Sequence, residues 1–148
     1  MAGFKGQAEY SVDSKGRVTI PAKMRGELSP EAGETFTVTR GFDQCIYLYP
    51  LDTWTTMEEE EIANLSRYDR EARHFVRIIM RWAEEVTLDA QGRIKLPTPL
   101  IDFAEIDGEG LIIGAFDHVE IWSPEVFDGY MNEQPAEYET LAERVMGA

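Results

Sequence analysis

The chain contains one nine-residue phrase twice. Asp13-Ser14-Lys15-Gly16-Arg17-Val18-Thr19-Ile20-Pro21 returns 76 positions later as Asp89-Ala90-Gln91-Gly92-Arg93-Ile94-Lys95-Leu96-Pro97. Asp, Gly, Arg and Pro are identical, and the two apolar positions between arginine and proline keep their type. The likeness runs outward: Tyr10 and Val12 precede the first copy as Val86 and Leu88 precede the second. Farther on, Gly41-Phe42-Asp43 and Ile46-Tyr47-Leu48-Tyr49-Pro50 are echoed by Gly114-Ala115-Phe116-Asp117 and Val119-Glu120-Ile121-Trp122-Ser123-Pro124. Self-similarity at a fixed offset marks a duplicated unit. A unit of roughly 45 residues buries too little apolar surface to be stable alone. The two copies are therefore expected to share one core, with helices packed outside it.

Each copy reads as short strands. Tyr10, Val12, Val18 and Ile20 alternate with polar neighbours, which is the period of a half-buried strand. Asp-x-x-Gly between them is turn chemistry: the aspartate accepts from nearby backbone N–H groups, and Gly16 supplies a positive φ. Pro21 ends the strand and opens a short helical turn through Ala22-Lys23-Met24-Arg25. Residues 35–39 and 45–49 form a second strand pair, and 111–115 with 119–122 do the same in the other half. Cys45, the one cysteine, is expected as a buried thiol at a strand start.

The middle is helical. Leu51, Trp54, Met57, Ile62 and Leu65 recur every three to four residues, with Asp52 or Thr53 available as a cap. A second helix over 69–83 places Ala72, Phe75, Val76, Ile79, Met80 and Ala83 on one face. Ser123-Pro124 supplies an N-cap and first-turn pair for a C-terminal helix, broken near Gln134-Pro135. The expected organisation is a first motif at 1–53, a helical insert at 54–85, a second motif at 86–127 and a helical tail at 128–148.

Charge decides which partners are admissible. The chain has 148 residues and a net charge of −14, which taken uniformly repels phosphate. The distribution is uneven. Residues 1–25 carry Lys5, Lys15, Arg17, Lys23 and Arg25 against Glu9 and Asp13, a net of +3, so the other 123 carry −17. A local basic face on an acidic body follows. No apolar run is long enough to span a membrane, and MAGFKGQAEY lacks the apolar stretch of a secretion signal. A cytoplasmic location is expected.

The repeated turn carries the candidate site. Two tight turns, each ending in an arginine, resemble a two-pronged reader of a duplex. Arginine contacts phosphates or makes a bidentate hydrogen bond to guanine in the major groove. Asp13 and Asp89 are expected to hold the turns, with Gly92 the counterpart of Gly16. Alternatively the arginines merely pair with those carboxylates.

These residues resemble the MraZ family, whose members carry two tandem copies of the swapped-hairpin fold shared with AbrB and MazE-type antitoxins. The match covers nearly the whole chain: Gly6, Tyr10, the motif at 13–21, Ala22-Lys23-Met24-Arg25, Leu48-Tyr49-Pro50-Leu51, the approach at 77–85 to the motif at 89–97, and Glu120-Ile121-Trp122. The resemblance implies a mainly β fold with helices, two AbrB-like β-barrel motifs sharing one core. It also implies a nucleoid-associated repressor of a division and cell-wall gene cluster, bound to tandem promoter boxes of double-stranded DNA as a ring-shaped homo-oligomer. Arg17 is then the leading DNA contact, with Lys15 and Gly16 on the same turn and Lys23 and Arg25 behind it. Arg93 and Lys95 are the second copy's contribution. That copy has Gln91 where the first has Lys15, and Pro99 and Ile101 where the first has Lys23 and Arg25, so it is expected to hold phosphate less strongly. Trp82 stands where the family resemblance leads one to expect a small residue.

Three other features compete with this reading. Arg67, Arg70, Arg73, Arg77 and Arg81 form a stripe on the second helix, expected to pair with Glu58-Glu59-Glu60-Glu61 within or between subunits. His74 and His118 stand without Ser-His-Asp or Cys-His order, HExxH, P-loop or GxGxxG, so no catalytic role, cofactor or metal is expected. An antitoxin-like or scaffolding interaction module of the same fold is the alternative function. MazE-like chains, however, resemble one motif copy with a disordered acidic tail.

Overall fold

Strands of the two copies pair across the duplication more than within it. The computed structural model describes residues 3–134 and 136–147. The first copy runs β1 (Gln7–Ser11), β2 (Arg17–Thr19), α1 (Ala22–Arg25), β3 (Thr35–Arg40) and β4 (Ile46–Pro50). Then come α2 (Leu51–Met57), continued by a π-helical turn over Glu58–Ile62, and α3 (Arg70–Trp82). The second copy supplies β5 (Glu84–Thr87), β6 (Arg93–Lys95), α4 (Thr98–Ala104), β7 (Glu109–Gly114) and β8 (Val119–Trp122), followed by α5 (Pro124–Glu133) and α6 (Tyr138–Met146).

Six strands form one antiparallel sheet in the order β1-β7-β8-β4-β3-β5, and β2 pairs with β6 as a separate ribbon. β1 of the first copy lies along β7 of the second, and β5 of the second lies along β3 of the first. Ser11 faces Glu109 just as Thr87 faces Thr35, so the two crossings are equivalent under the repeat. β4 and β8 pair around Tyr47 and Glu120, and β2 and β6 around Val18 and Ile94. Each of these pairs joins a residue to its own counterpart. A pseudo-twofold axis therefore passes through both.

The hairpins are swapped as expected, but the strand order is linear, with β1 and β5 at its ends. The described strands make an open sheet and a ribbon in place of a closed barrel. Pro21 and Pro97, which have no N–H to donate, stand two positions after Thr19 and Lys95, the last paired residues of the three-residue ribbon strands.

The shared core is observed. Val18, Ile20, Phe36, Val38, Ile46 and Leu48 of the first copy pack with Ile94, Leu96, Leu100, Ile112, Val119 and Ile121 of the second, all buried. Each such side chain contributes about 1.5–3 kcal/mol on leaving water. β4 is buried along its whole length. Its alternate residues Tyr47 and Tyr49 enter a second cluster with Cys45, Trp54, Leu111 and Trp122, against which Met57, Ile79, Met80, Val126, Phe127 and Tyr130 pack. Cys45 is a fully buried free thiol immediately before β4, and burial pushes its pKa up.

The helices depart from expectation in two places. α2 begins directly after Pro50 with no side-chain cap; Asp52 lies in its first turn and accepts from Ser29 Oγ at 2.7 Å. Leu65, expected to face inward on the same helix, falls beyond it and is 41% exposed. The rest agrees. Asp69 caps α3 by accepting from Glu71 N–H, and Ser123 caps α5 by accepting from Val126 N–H. α5 stops at Glu133 before the expected break, of which Pro135 lies outside the described residues. Trp82 is accommodated against the main core, its ring centroid 5.8 Å from that of Phe103.

Candidate nucleic-acid interface

The two repeated turns are built alike. Asp13 Oδ1 accepts from the N–H groups of Lys15 and Arg17 at 2.9 and 2.8 Å, while Oδ2 accepts from Arg17 Nε at 2.7 Å. Asp89 Oδ1 accepts from Gln91 and Arg93 N–H at 2.9 Å each, and Oδ2 from Arg93 Nε at 3.0 Å. In each turn the glycine N–H donates to the aspartate carbonyl, and the aspartate N–H to the arginine carbonyl. The backbone hydrogen bonds from Arg17 and Arg93 hold both carboxyls below the usual aspartate range. Each aspartate thus accepts from two backbone N–H groups of its turn and also pairs with its arginine.

Backbone conformation requires glycine at both Gly16 and Gly92, and space requires it at Gly16 as well. Their φ angles are +81° and +75°. A Cβ on Gly16 would lie 2.8 Å from the Leu96 carbonyl oxygen and 3.1 Å from Ile101 Cδ1. A Cβ on Gly92 would lie 2.6 Å from the Arg25 guanidinium. Each turn is thus seated on the opposite copy: Leu96 N–H donates to the Gly16 carbonyl and Ile20 N–H to the Gly92 carbonyl.

The ribbon gathers the charge. Val18 and Ile94 point into the core, so strand alternation turns Arg17, Thr19, Arg93 and Lys95 to the opposite face. Arg17 lies opposite Lys95 and Thr19 opposite Arg93. Three cations and one hydroxyl occupy a patch two strands wide. Thr19 was not singled out from the sequence, although its position two residues after Arg17 carries the signal. Lys15 is exposed on its turn and Lys23 is exposed on α1.

The two arginines are not equally free. Arg17 binds its own aspartate through Nε, and its Nη groups have no protein partner among the described residues. Arg93 also donates from Nη2 to Gln91 Oε1 at 3.1 Å. Arg25 is turned inward: its Nε donates to the Ile20 carbonyl at 2.9 Å, and its guanidinium packs over Gly92. Its local job is to buttress the second turn, as Ile101 buttresses the first.

The remaining charged groups lie elsewhere. None of Arg67, Arg70, Arg73, Arg77 and Arg81 reaches Glu58–Ile62 through an ion pair among the described residues. Ile62, at the end of the π-helical turn, and Leu65, beyond it, share a cavity with Ala72, Arg73, Val76 and Arg77 of α3. His118 is a packing residue. Its ring sits against Tyr47 and Tyr49 with centroids 4.4 and 5.2 Å away, and bonds to Asp117 Oδ1 at 2.7 Å and Glu120 Oε2 at 3.0 Å. Among the described residues no group of His, Cys, Asp and Glu is placed to hold a metal ion, and no helix is long and apolar enough to cross a membrane.

The chain is similar to known proteins over most of its length. A family model described as "MraZ protein, putative antitoxin-like" matches residues 4–78 and again 79–147. The chain is 42% identical over 143 residues to a protein of Natranaerobius thermophilus named transcriptional regulator MraZ, covering 97% of this chain and 96% of that one. A protein of the same name from Carboxydothermus hydrogenoformans is 41% identical over 143 residues, with the same coverage. Another from Caldanaerobacter subterraneus is 41% identical over 140 residues, covering 95% of this chain and 94% of that one.

Proposed function

The chain belongs to the MraZ family, and on that premise we propose that it is a DNA-binding transcriptional regulator, not an enzyme, which reads promoter DNA with the β2–β6 ribbon. The observation that carries this reading is the ribbon face itself, with Arg17, Arg93 and Lys95 side by side on a pseudo-symmetric support within an otherwise acidic chain. A major groove about 12 Å wide admits a two-stranded ribbon. The free Nη groups of Arg17 suit either a guanine edge or a phosphate. Lys15 and Lys23 add phosphate contacts at the rim, with Gly16 letting the backbone approach. Arg25 acts by holding the second turn.

One ribbon supplies few cations, so occupancy of tandem boxes by several linked subunits raises avidity without new contacts. The targets are promoter boxes upstream of a division and cell-wall gene cluster that includes the regulator's own gene, repressed by a ring-like homo-oligomer at the nucleoid in the cytoplasm. Footprinting of the native protein on its own upstream DNA tests this. Protection of evenly spaced boxes is expected. No footprint, with a toxin-like protein captured in stoichiometric amount, would replace this reading with the interaction module.

A further inference from the structure

The two arginine turns share a backbone but hold their guanidiniums differently. In the second turn Arg93 is tied at two points: Nε donates to Asp89 Oδ2 at 3.0 Å, and Nη2 to Gln91 Oε1 at 3.1 Å. Both bonds leave from one edge of the planar fork, because Nε–H and the nearer Nη2–H point the same way. The other end, Nη1 with the second N–H of Nη2, has no protein partner among the described residues. The turn beneath is itself seated. The Gly92 carbonyl accepts from Ile20 N–H, and the Arg25 guanidinium lies against Gly92.

The first turn has no such second tie. Asp13 Oδ2 accepts from Arg17 Nε at 2.7 Å, but the residue corresponding to Gln91 is Lys15, whose ammonium donates and cannot accept. Arg17 therefore pivots about one side-chain bond, with a second cation on the same turn. That arrangement suits phosphates, which position a protein on the duplex and carry no sequence information. A guanidinium fixed end-on suits guanine, whose O6 and N7 acceptors demand one plane and one approach.

We propose that Gln91 is a positioning residue for sequence recognition. It holds Arg93 end-on for a guanine edge and withholds it from the phosphates, while Arg17 and Lys15 supply affinity. The proposal rests on the DNA-binding reading above and divides that work between the turns. Selectivity then comes as much from contacts denied to wrong sequences as from contacts made to the right one.

Equilibrium binding of full-length variants to two duplexes tests it. One is the protein's own upstream DNA; the other has the same length and composition with its bases shuffled. Gln91→Ala frees Arg93 for phosphates, so affinity for the shuffled duplex should rise and the ratio of the two affinities should fall at least about fivefold. Gln91→Glu keeps a side-chain oxygen for Nη2 and adds a negative charge; both affinities should drop together and the ratio should persist. Gln91→Lys removes the acceptor and adds a cation; both affinities should rise while the ratio falls. Arg93→Ala should lose affinity for the upstream DNA alone. Melting curves should not change at position 91, where the side chain is exposed and the backbone N–H keeps its bond to Asp89. Carbon in place of N7 in the upstream guanines should weaken the parent and leave Arg93→Ala unaffected. A Gln91→Ala protein that keeps the parent's ratio would overturn the proposal, as would a Gln91→Glu protein that loses it. Arg93→Ala that still responds to the altered guanines would overturn it too. A parent that binds neither duplex, or both equally, would instead remove the DNA reading on which the proposal rests.

Discussion

Val18 lies directly opposite Ile94 at the centre of the β2–β6 ribbon, and each is the other's counterpart in the duplication. Both are buried, at 1% exposure, and they join the halves where the two arginine turns are held. The residues that stabilise the fold and those that face solvent thus alternate along the same three-residue strands.

That alternation makes stability and binding separable. Ile94→Ala is expected to cost about 2–5 kcal/mol, as for other large-to-small changes in a closed core. Both halves should melt together, because they share that core. Chemical denaturation followed by tryptophan fluorescence and by circular dichroism checks this; two separated transitions would contradict the shared core.

The turn aspartate acts through geometry. Asp13→Asn keeps an oxygen for the Lys15 and Arg17 N–H groups and removes one negative charge near the ribbon. It is expected to bind DNA as well as the parent, or better at low salt. Asp13→Ala loses all three hydrogen bonds, so melting temperature and affinity should fall together. The folded-state pKa of Asp13 is depressed, so its contribution is present above the ordinary value of 3.8 and is lost as pH falls through the lower folded value. Melting curves of Asp13→Ala and the parent should therefore converge in strong acid.

The two turns should contribute unequally. Gln91 holds Arg93 through Nη2, whereas Arg17 keeps both Nη groups free of protein partners among the described residues and has Lys15 beside it. Arg17→Ala is expected to weaken binding more than Arg93→Ala in gel-shift titrations, with both proteins folded. Releasing the second arginine by Gln91→Ala should narrow the difference. The reverse ranking would place the main contact in the second copy.

A separate pH effect belongs to His118 and Glu120. Burial opposes the charged ring, but the hydrogen bonds to Glu120 and Asp117 outweigh it and raise the His118 pKa above 6.5. Burial likewise opposes the Glu120 carboxylate, yet the bonds from His118 and Trp122 hold its pKa below 4.5. The histidine contribution is complete below pH 6.5 and fades as pH rises through the raised value. The glutamate contribution is complete above pH 4.5 and fades as pH falls through the lowered value. Thermal melts of the parent and Glu120→Gln should differ most between about pH 4.5 and 6.5. A difference that grows at alkaline pH would contradict this pairing.

What could be read from the sequence was local. Asp13 through Pro21 states a turn, a strand and a stop in nine residues, and Ser123-Pro124 states a helix start, because the interactions involved reach no farther than four positions. The pairing of β1 with β7 depends on contacts made roughly a hundred positions away, and alternation alone fixes neither the partner nor the register. Pro50 hides the start of α2, since the strand passes into the helix with no capping side chain to announce it. Arg25 has the composition of a DNA contact but turns to the Ile20 carbonyl, because the opposite copy places Gly92 beneath it. In the sequence Gln91 is only a lost charge; the folded turn brings its side-chain carbonyl to Arg93.

The central claim is that the arginine turns engage DNA, and salt-titrated equilibrium binding to the protein's own upstream DNA tests it most directly. The parent should bind with an affinity that falls steeply as salt rises, because each neutralised phosphate releases about one counterion. Arg17→Ala, with its melting temperature nearly unchanged, should lose at least about tenfold in affinity and about one unit of the salt slope. Unchanged affinity and slope in a folded Arg17→Ala protein would contradict the account.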